Sequence, residues 1–434
     1  MSEPLPWLAP TPTEPVVGQI IVPGSKSLTN RALVLAAVAE RPSVLTRALG
    51  SRDTSLMIAA LTALGASVDR DGIEWTVRPV DPSRAAPVTI DCGLAGTVMR
   101  FVPALAALGS ASVTFDGDDR ARERPMDVTI SSLRALGVEV DDAGADGQGR
   151  GTLPFTVHGT GGVEGGPISI DSSASSQFVS ALLLAAPRFA RGLDLTHTGP
   201  TLPSAPHIAM TVEQLRARGV TIETPVDGDP TRWRVQPGPV SPLDTEIEPD
   251  LSNAGVFVAA ALVTAGEVRV RNWPASTDQA GDAWRRLAVA FGGTAELDGD
   301  DLVVTGPKKL SGVDLDLGDV GELAPVVAAV AALAETPSRL TGIAHLRGHE
   351  TDRLAAIATE FRRLGGDVDE LDDGLEIRPR PLHGDVFRTY HDHRMAHAAV
   401  VLALRVPDVF VENVVTTVKT YPNFAPVWER LVDA

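Results

Sequence analysis

The stretch LTALGASV at 61–68 decides the fold, because it returns as LRALGVEV at 133–140, LRARGVTI at 215–222, LAVAFGGTAEL at 287–297 and FRRLGGDV at 361–368. Each copy reads as the end of an apolar helix, a glycine, and a short alternating strand. The glycines Gly65, Gly137, Gly219, Gly292 and Gly365 are placed as helix C-caps, where only glycine enters the left-handed conformation at no steric cost. They recur at roughly 70 to 80 residues, the signature of an internal repeat.

A second series runs in phase with the first. Apolar helices open near Ser27, Gly96, Ser176, Ser252, Gly321 and Asp392, so there are six units. The sixth ends inside APVWERLVDA before any glycine cap, and its missing strand is expected from Val16 to Val22, whose VVGQIIV has strand composition. Six units divide into two domains of three, joined near Pro23 and near Asp244. The expectation is therefore one domain from residues 1–23 plus 245–434, closed by both chain ends, and a second from residues 24–244. A length of 434 residues agrees, since a single core rarely grows that large.

Composition narrows the function classes. The formal charge is −18, and a net negative field repels nucleic acid and anionic membrane, so neither is expected as a partner. One cysteine, Cys92, excludes an internal disulfide and a cysteine-rich zinc site. The longest apolar runs, Ala324 to Ala334 and Val256 to Ala265, fall short of the ~20 residues that span a bilayer. Met1 to Pro15 is acidic and proline-rich and does not read as a signal or transit peptide, which points to the cytoplasm. Lysine is rare: Lys26, Lys308, Lys309 and Lys419 stand against thirty-four arginines, so a lysine inside a polar motif draws notice.

Polar segments open the six apolar helices: GSKSLTNR, GLAGTVMR, SSASSQ, PDLSNA, GDVGEL and HDHRMA. A helix amino end offers unpaired N–H groups and about half a positive charge to an anion. Serine, threonine, asparagine and aspartate there serve equally as plain N-caps, so the segments alone do not choose between the two roles. Cations accompany them: Lys26, Arg31, Arg100, Arg124, Arg353, Arg394 and Lys419. Beside greasy helices a charged side chain is costly unless it faces water or an anion, so the set reads as a site for a ligand with several negative groups. Glu322 at the start of the fifth helix, and Glu350 and Asp352 in HETDR, are candidates for proton transfer, for helix caps, or for ion pairs with neighbouring arginines.

These motifs bear a family likeness. PGSKSLTNRAL (23–33), AGTVMRF (95–101), RERPM (122–126), SSQF (175–178), ETDR (350–353), DHRMA (392–396) and KTYP (419–422) occur in the order and spacing of the 5-enolpyruvylshikimate-3-phosphate synthases, which the chain resembles nearly end to end. The resemblance implies an α/β enolpyruvyl transferase fold of two domains, each a threefold repeat of mixed strands around buried parallel helices, an inside-out α/β barrel, with the active-site cleft between them. It implies transfer of the enolpyruvyl group of phosphoenolpyruvate to the 5-hydroxyl of shikimate 3-phosphate, with release of phosphate and no cofactor or metal, by a monomer. Shikimate 3-phosphate would meet Lys26, Ser27, Arg31, Ser175, Ser176, Gln177, Ser204, Glu322 and His349. Phosphoenolpyruvate would meet Lys26, Gly96, Arg124, Gln177, Arg353, Arg394 and Lys419. Glu322 would be the base near the hydroxyl and Glu350 the acid toward the methylene, with Lys26 and Lys419 stabilising charge and sharing the proton work.

Several positions depart from the family pattern. Leu94 stands for an asparagine, His207 for a tyrosine, His345 for an asparagine, His349 for a lysine and Glu322 for an aspartate. A histidine is only partly charged near neutral pH, so His349 predicts a sharper pH dependence of sugar-phosphate affinity than a lysine gives. The rival with the same fold, a UDP-N-acetylglucosamine enolpyruvyl transferase, carries a reactive cysteine in the loop matching Arg120 to Pro125, where GDDRARERP has none. Cys92 lies upstream and reads as a small packing residue. A phosphate loop needs glycine directly before lysine, which Ser25 prevents, and GTGGVEGG (159–166) lacks the dinucleotide order and reads as a loop. His391, His393 and His397 have metal-like spacing but no acidic partners of the right kind, with Arg394 among them.

Overall fold

A computed structural model describes residues 5–81, 86–142 and 151–433; the first four residues of the acidic leader and the final alanine lie outside them. The chain divides into two compact units, Met1–Pro23 with Glu248–Ala434, and Gly24–Ile247. Each has its own apolar core.

In Gly24–Ile247 one pattern occurs three times. A strand, a buried helix and a parallel strand form a crossover unit, then an outer helix leads to two more strands that extend the sheet antiparallel. In the middle copy these are Val88–Asp91, the helix Gly96–Ala106, Ser112–Asp116, the helix Asp127–Ala135, Glu139–Asp141 and Phe155–His158. The third copy has Gly166–Ile170, Gln177–Ala185, Leu193–His197, Ala205–Ala217, Ile222–Glu223 and Arg232–Val235. The first copy borrows its leading strand from the far end of the unit, since Thr245–Glu246 pairs parallel with Ser43–Thr46 beside the helix Lys26–Ala37. Each sheet has four strands, and the three sheets stay separate.

The other unit repeats the plan around the helices Leu251–Thr264, Ala324–Ala332 and His393–Ala403. All three are buried over nearly their whole length, and each touches the other two, as do their counterparts Lys26–Ala37, Gly96–Ala106 and Gln177–Ala185. A helix greasy all round has to be buried, and alanine-rich faces let three of them close on one another beneath their sheets. Gly255 shows how tight this is: a Cβ there would lie 1.9 Å from Nε1 of the fully buried Trp284.

The five glycines do end helices. Gly65, Gly137, Gly219, Gly292 and Gly365 have φ of 104°, 87°, 75°, 94° and 91°. Two expectations are corrected. The strand completing the sixth sheet is Trp7–Leu8, antiparallel to Phe410–Val411, not Val16 to Val22. Val17–Ile20 instead leads the fourth copy, parallel to Glu267–Val270, the place that every other leading strand holds. The polar segment GDVGEL is a 3-10 turn, Gly318–Leu323, so Glu322 precedes the fifth helix and does not begin it. GTGGVEGG is loop up to Gly166, where a strand begins.

Candidate active site

In Gly24–Ile247 the amino ends of the three buried helices are tied side by side. Asn30 Nδ2 donates to Thr97 Oγ1 at 2.8 Å, joining the first helix to the second. Arg100 Nη1 donates to Gln177 Oε1 at 3.0 Å, joining the second to the third. Gly96 faces this junction: a Cβ on it would lie 2.9 Å from Arg100 Nη1 and 3.2 Å from both Arg124 Nη1 and Gln177 Oε1. Arg124 arrives from the 3-10 turn Ala121–Glu123 and is buried. Gly96, Arg124 and Gln177 therefore share one small space, with the amino ends of two helices whose N-caps, Ala95 and Ser176, use no side-chain cap.

Lys26 opens the first helix, capped by Ser25, and its Nζ is 3.4 Å from Oδ2 of the buried Asp53. Arg31 points inward. Its guanidinium donates to Thr211 Oγ1 (2.7 Å), His207 O (2.9 Å), Ser27 O (3.0 Å) and Ser180 Oγ (3.4 Å), and it lies over the Phe101 ring. These contacts turn the Arg31 guanidinium toward backbone carbonyls and hydroxyls of the protein. It fastens the first helix to Ala205–Ala217, the helix that Ser204 opens from a left-handed backbone with φ 56°. Ser175 Oγ accepts from Gln177 N at 3.3 Å, and Ser176 is buried at the head of the third helix.

The second group of candidates lies in the unit holding the chain ends. Asp392 caps the helix His393–Ala403 by accepting from Arg394 N, and the same carboxylate receives Arg353 at two points, Nε to Oδ2 at 2.7 Å and Nη2 to Oδ1 at 3.2 Å. Arg353 also donates to Glu350 Oε2 (3.1 Å) and His349 Nδ1 (3.1 Å). A guanidinium only donates, so His349 Nδ1 is the acceptor and its ring proton sits on Nε2. Burial would weaken the Arg353 charge, but Asp392 and Glu350 outweigh it and hold the group firmly protonated. Lys419 Nζ reaches Glu350 Oε1 at 2.7 Å. Arg394 donates to Ser252 O at 3.0 Å, and its Nη2 is 3.6 Å from Glu322 Oε2, which accepts from Ser252 Oγ at 3.3 Å. Glu322, Glu350, Arg353, Arg394 and Lys419 thus form one chain of contacts, with His349 attached through Arg353.

Every candidate cation in this second group has a carboxylate beside it. Asp250 and Asp392 fill the amino ends of two of the six buried helices, so six open helix ends awaiting an anion is not what the fold provides. Asp352 caps its own helix and pairs with Arg347. Reading the sequence missed Asp53 and Asp392 as counterions; the signal available was a carboxylate at or next to the N-cap of a helix that also carries or faces a buried cation.

The histidines separate by environment. His345 is held down to about 4, chiefly by burial and then by Arg353, against the opposing pull of Glu322. His393 and His397 stand ring edge to ring face, 6.0 Å apart, and His397 rests on Phe424 at 4.8 Å. Burial, then Arg394, pushes His397 far below its ordinary value, so it is a neutral packing residue. Among the described residues no three His, Cys, Asp or Glu side chains are gathered to hold a metal ion. Cys92 is fully buried, and burial followed by Asp91 and Asp116 pushes its thiol up to about 12, far from the thiolate a nucleophile needs. No helix of the described residues is long and apolar enough to cross a membrane.

Residues 10–428 match the family model for EPSP synthase (3-phosphoshikimate 1-carboxyvinyltransferase). A curated protein of Kocuria rhizophila, named 3-phosphoshikimate 1-carboxyvinyltransferase, is 56% identical over 436 residues, which cover 98% of this chain and 96% of that protein. Among solved structures, an EPSP synthase from Acinetobacter baumannii superposes with a TM-score of 0.79 at 23% identity, covering 98% of this chain and 97% of the other. The enolpyruvyl transferase NikO from Streptomyces tendae gives a TM-score of 0.75 at 19% identity, over 99% and 97%. At such identities the two structures speak for the fold alone.

Proposed function

The chain belongs to the EPSP synthase family, and from that premise we propose how its two groups of residues carry the reaction. The enzyme transfers the enolpyruvyl group of phosphoenolpyruvate to the 5-hydroxyl of shikimate 3-phosphate and releases phosphate, a step of the shikimate pathway to aromatic amino acids. The single observation carrying this is the match over residues 10–428, which includes every motif named above.

In the proposed division of labour, Lys26, Ser27, Arg31, Ser175, Ser176, Gln177, Ser204, Glu322 and His349 serve shikimate 3-phosphate. Lys26, Gly96, Arg124, Gln177, Arg353, Arg394 and Lys419 serve phosphoenolpyruvate. Lys26 and Gln177 stand in both sets, so the two substrates would meet at those residues. Arg31 acts by fixing Ser27 and the Ser204 helix, which is what its inward contacts support.

The sugar hydroxyl adds to the enol carbon as Glu322 removes its proton. A proton passes from the Lys419 ammonium through the Glu350 carboxylate, 2.7 Å away, to the methylene carbon, so that Glu350 acts as the acid. The tetrahedral adduct then loses phosphate, which carries away the proton taken from the hydroxyl, while the Glu350 carboxylate takes one methyl proton back and returns it to Lys419 as the double bond is restored. Fixed cations offset charge gathering on the departing phosphate. Substrate binding would exchange the Glu322 partner of Arg394 for a substrate anion, whereas Lys419, with three N–H donors, can meet a substrate anion while keeping Glu350. We further read the working form as a cytoplasmic monomer that uses no cofactor.

Phosphate release tests the assignment. It is measured with both substrates, with each omitted in turn, and with UDP-N-acetylglucosamine in place of shikimate 3-phosphate. Release that requires shikimate 3-phosphate is expected; release with the UDP sugar would replace this reading by the other enolpyruvyl transferase.

A further inference from the structure

We infer that His197 is a positioning residue for the loop Asp171 to Gln177, and that it sets the affinity for shikimate 3-phosphate without touching it. The inference rests on the reading that Ser175, Ser176 and Gln177 bind that substrate. Strands Gly166–Ile170 and Leu193–His197 run parallel with Ile170 opposite His197, so both release the chain at the same end. One continues into the serine loop and the other into the segment that reaches Ser204.

The two segments are joined at their roots. Ser172 N donates to His197 Nδ1 at 3.1 Å, with Ser172 0% and His197 5% exposed. Because Nδ1 accepts, the ring proton is on Nε2, which meets no acceptor among the described residues. The one directed bond of this side chain is therefore spent on the loop backbone. Around it, Thr198 N donates to Ile170 O at 2.9 Å, Ser173 N to Asp171 Oδ1 at 2.9 Å, and Ser175 N to Ser172 O at 3.0 Å. These last two bonds are internal to the loop and shape it without anchoring it. The far side is closed by Gly199, where a Cβ would lie 2.1 Å from Asp171 Oδ1 and 2.2 Å from Ser173 Oγ.

A buried N–H must be paired, so an apolar residue at 197 forces the Ser172 backbone toward another acceptor and carries Ser175 to Gln177 with it. The position of a binding group governs KM when ground state and transition state use it alike. Asparagine places Oδ1 close to where Nδ1 stands and restores the acceptor.

Kinetics of His197→Leu, His197→Asn, Gly199→Ala and Ser176→Ala test this, each variant checked by thermal melting. For His197→Leu we expect KM for shikimate 3-phosphate to rise about tenfold with kcat within about twofold, and His197→Asn to return KM to within about twofold of the parent. An unchanged KM in His197→Leu, or a KM in His197→Asn as poor as in the leucine variant, overturns the inference. If His197→Leu does not fold, Gly199→Ala decides, because its Cβ displaces the same loop: a raised KM supports the brace and an unchanged one overturns it. Ser176→Ala separates the two layers. If it raises KM while His197→Leu does not, the serines bind substrate and the brace is wrong; if neither moves KM, the serine reading falls as well.

Discussion

Replacing Asp392 by asparagine attacks the point where the second group of residues depends on a single carboxylate. Asp392 is fully buried, accepts Arg353 at 2.7 and 3.2 Å, and caps its helix through Arg394 N. Asparagine keeps the cap, since it serves as well as aspartate at that position, so the change isolates the charge. What remains is a buried guanidinium with Glu350 as its carboxylate partner, and breaking a buried pair from one side costs about 3–5 kcal/mol. Glu350 recovers part of this, which leaves about 3 kcal/mol as the expected loss. Asp392→Ala also forfeits the cap and should lose about 1 kcal/mol more. Urea unfolding followed by tryptophan emission is the assay, because four of the six tryptophans, Trp7, Trp273, Trp284 and Trp428, lie in the same unit as Asp392. A loss below about 1 kcal/mol for the asparagine variant would refute the claim that Arg353 depends on this partner. Equal losses for asparagine and alanine would mean instead that the cap contributes nothing.

Acid should weaken the fold through His345, which titrates at about 4 when folded against an ordinary 6.5. Between those values the unfolded chain binds the extra proton, so stability falls as pH drops from 6.5 to 4, by up to about 3 kcal/mol, and His345→Asn should flatten that part of the urea-midpoint profile. Gly255→Ala drives a methyl into the Trp284 ring at 1.9 Å and should lower stability by about 1–3 kcal/mol in spite of the better helix preference of alanine; an unchanged urea midpoint would mean that the helix can shift. His349→Lys should reduce the pH dependence of KM for shikimate 3-phosphate between pH 6 and 8, roughly the range in which histidine changes charge. Comparing the two profiles cancels the titration of the substrate phosphate, and identical profiles would remove His349 from sugar-phosphate binding.

Much of the architecture was legible because it is periodic. A glycine that must take positive φ at the end of five of the six outer helices marks the repeat, and long apolar helix runs can only be interior. The two-residue strand Trp7–Leu8 was not legible, since two residues carry no alternation. Val17–Ile20 was recognised as a strand but given the wrong sheet, because pairing partners some 250 residues apart leave no local trace. In the candidate site, motifs revealed the cations, whereas their counterions had to be seen in three dimensions. Asp53 and Asp392 look like ordinary first-turn and capping residues until Lys26 and Arg353 are placed against them.

The position of Trp7–Leu8 bears on how the protein is made. Gly24–Ile247 is an uninterrupted run and can condense by itself, but the remaining unit needs both the strand Trp7–Leu8 and the helix Phe424–Val432. Its sixth sheet stays incomplete, with the edge of Phe410–Val411 unpaired, until the leader returns to it. Deleting Trp7 and Leu8 should therefore leave Val386–Phe387 and Phe410–Val411 as a pair of strands with one edge bare.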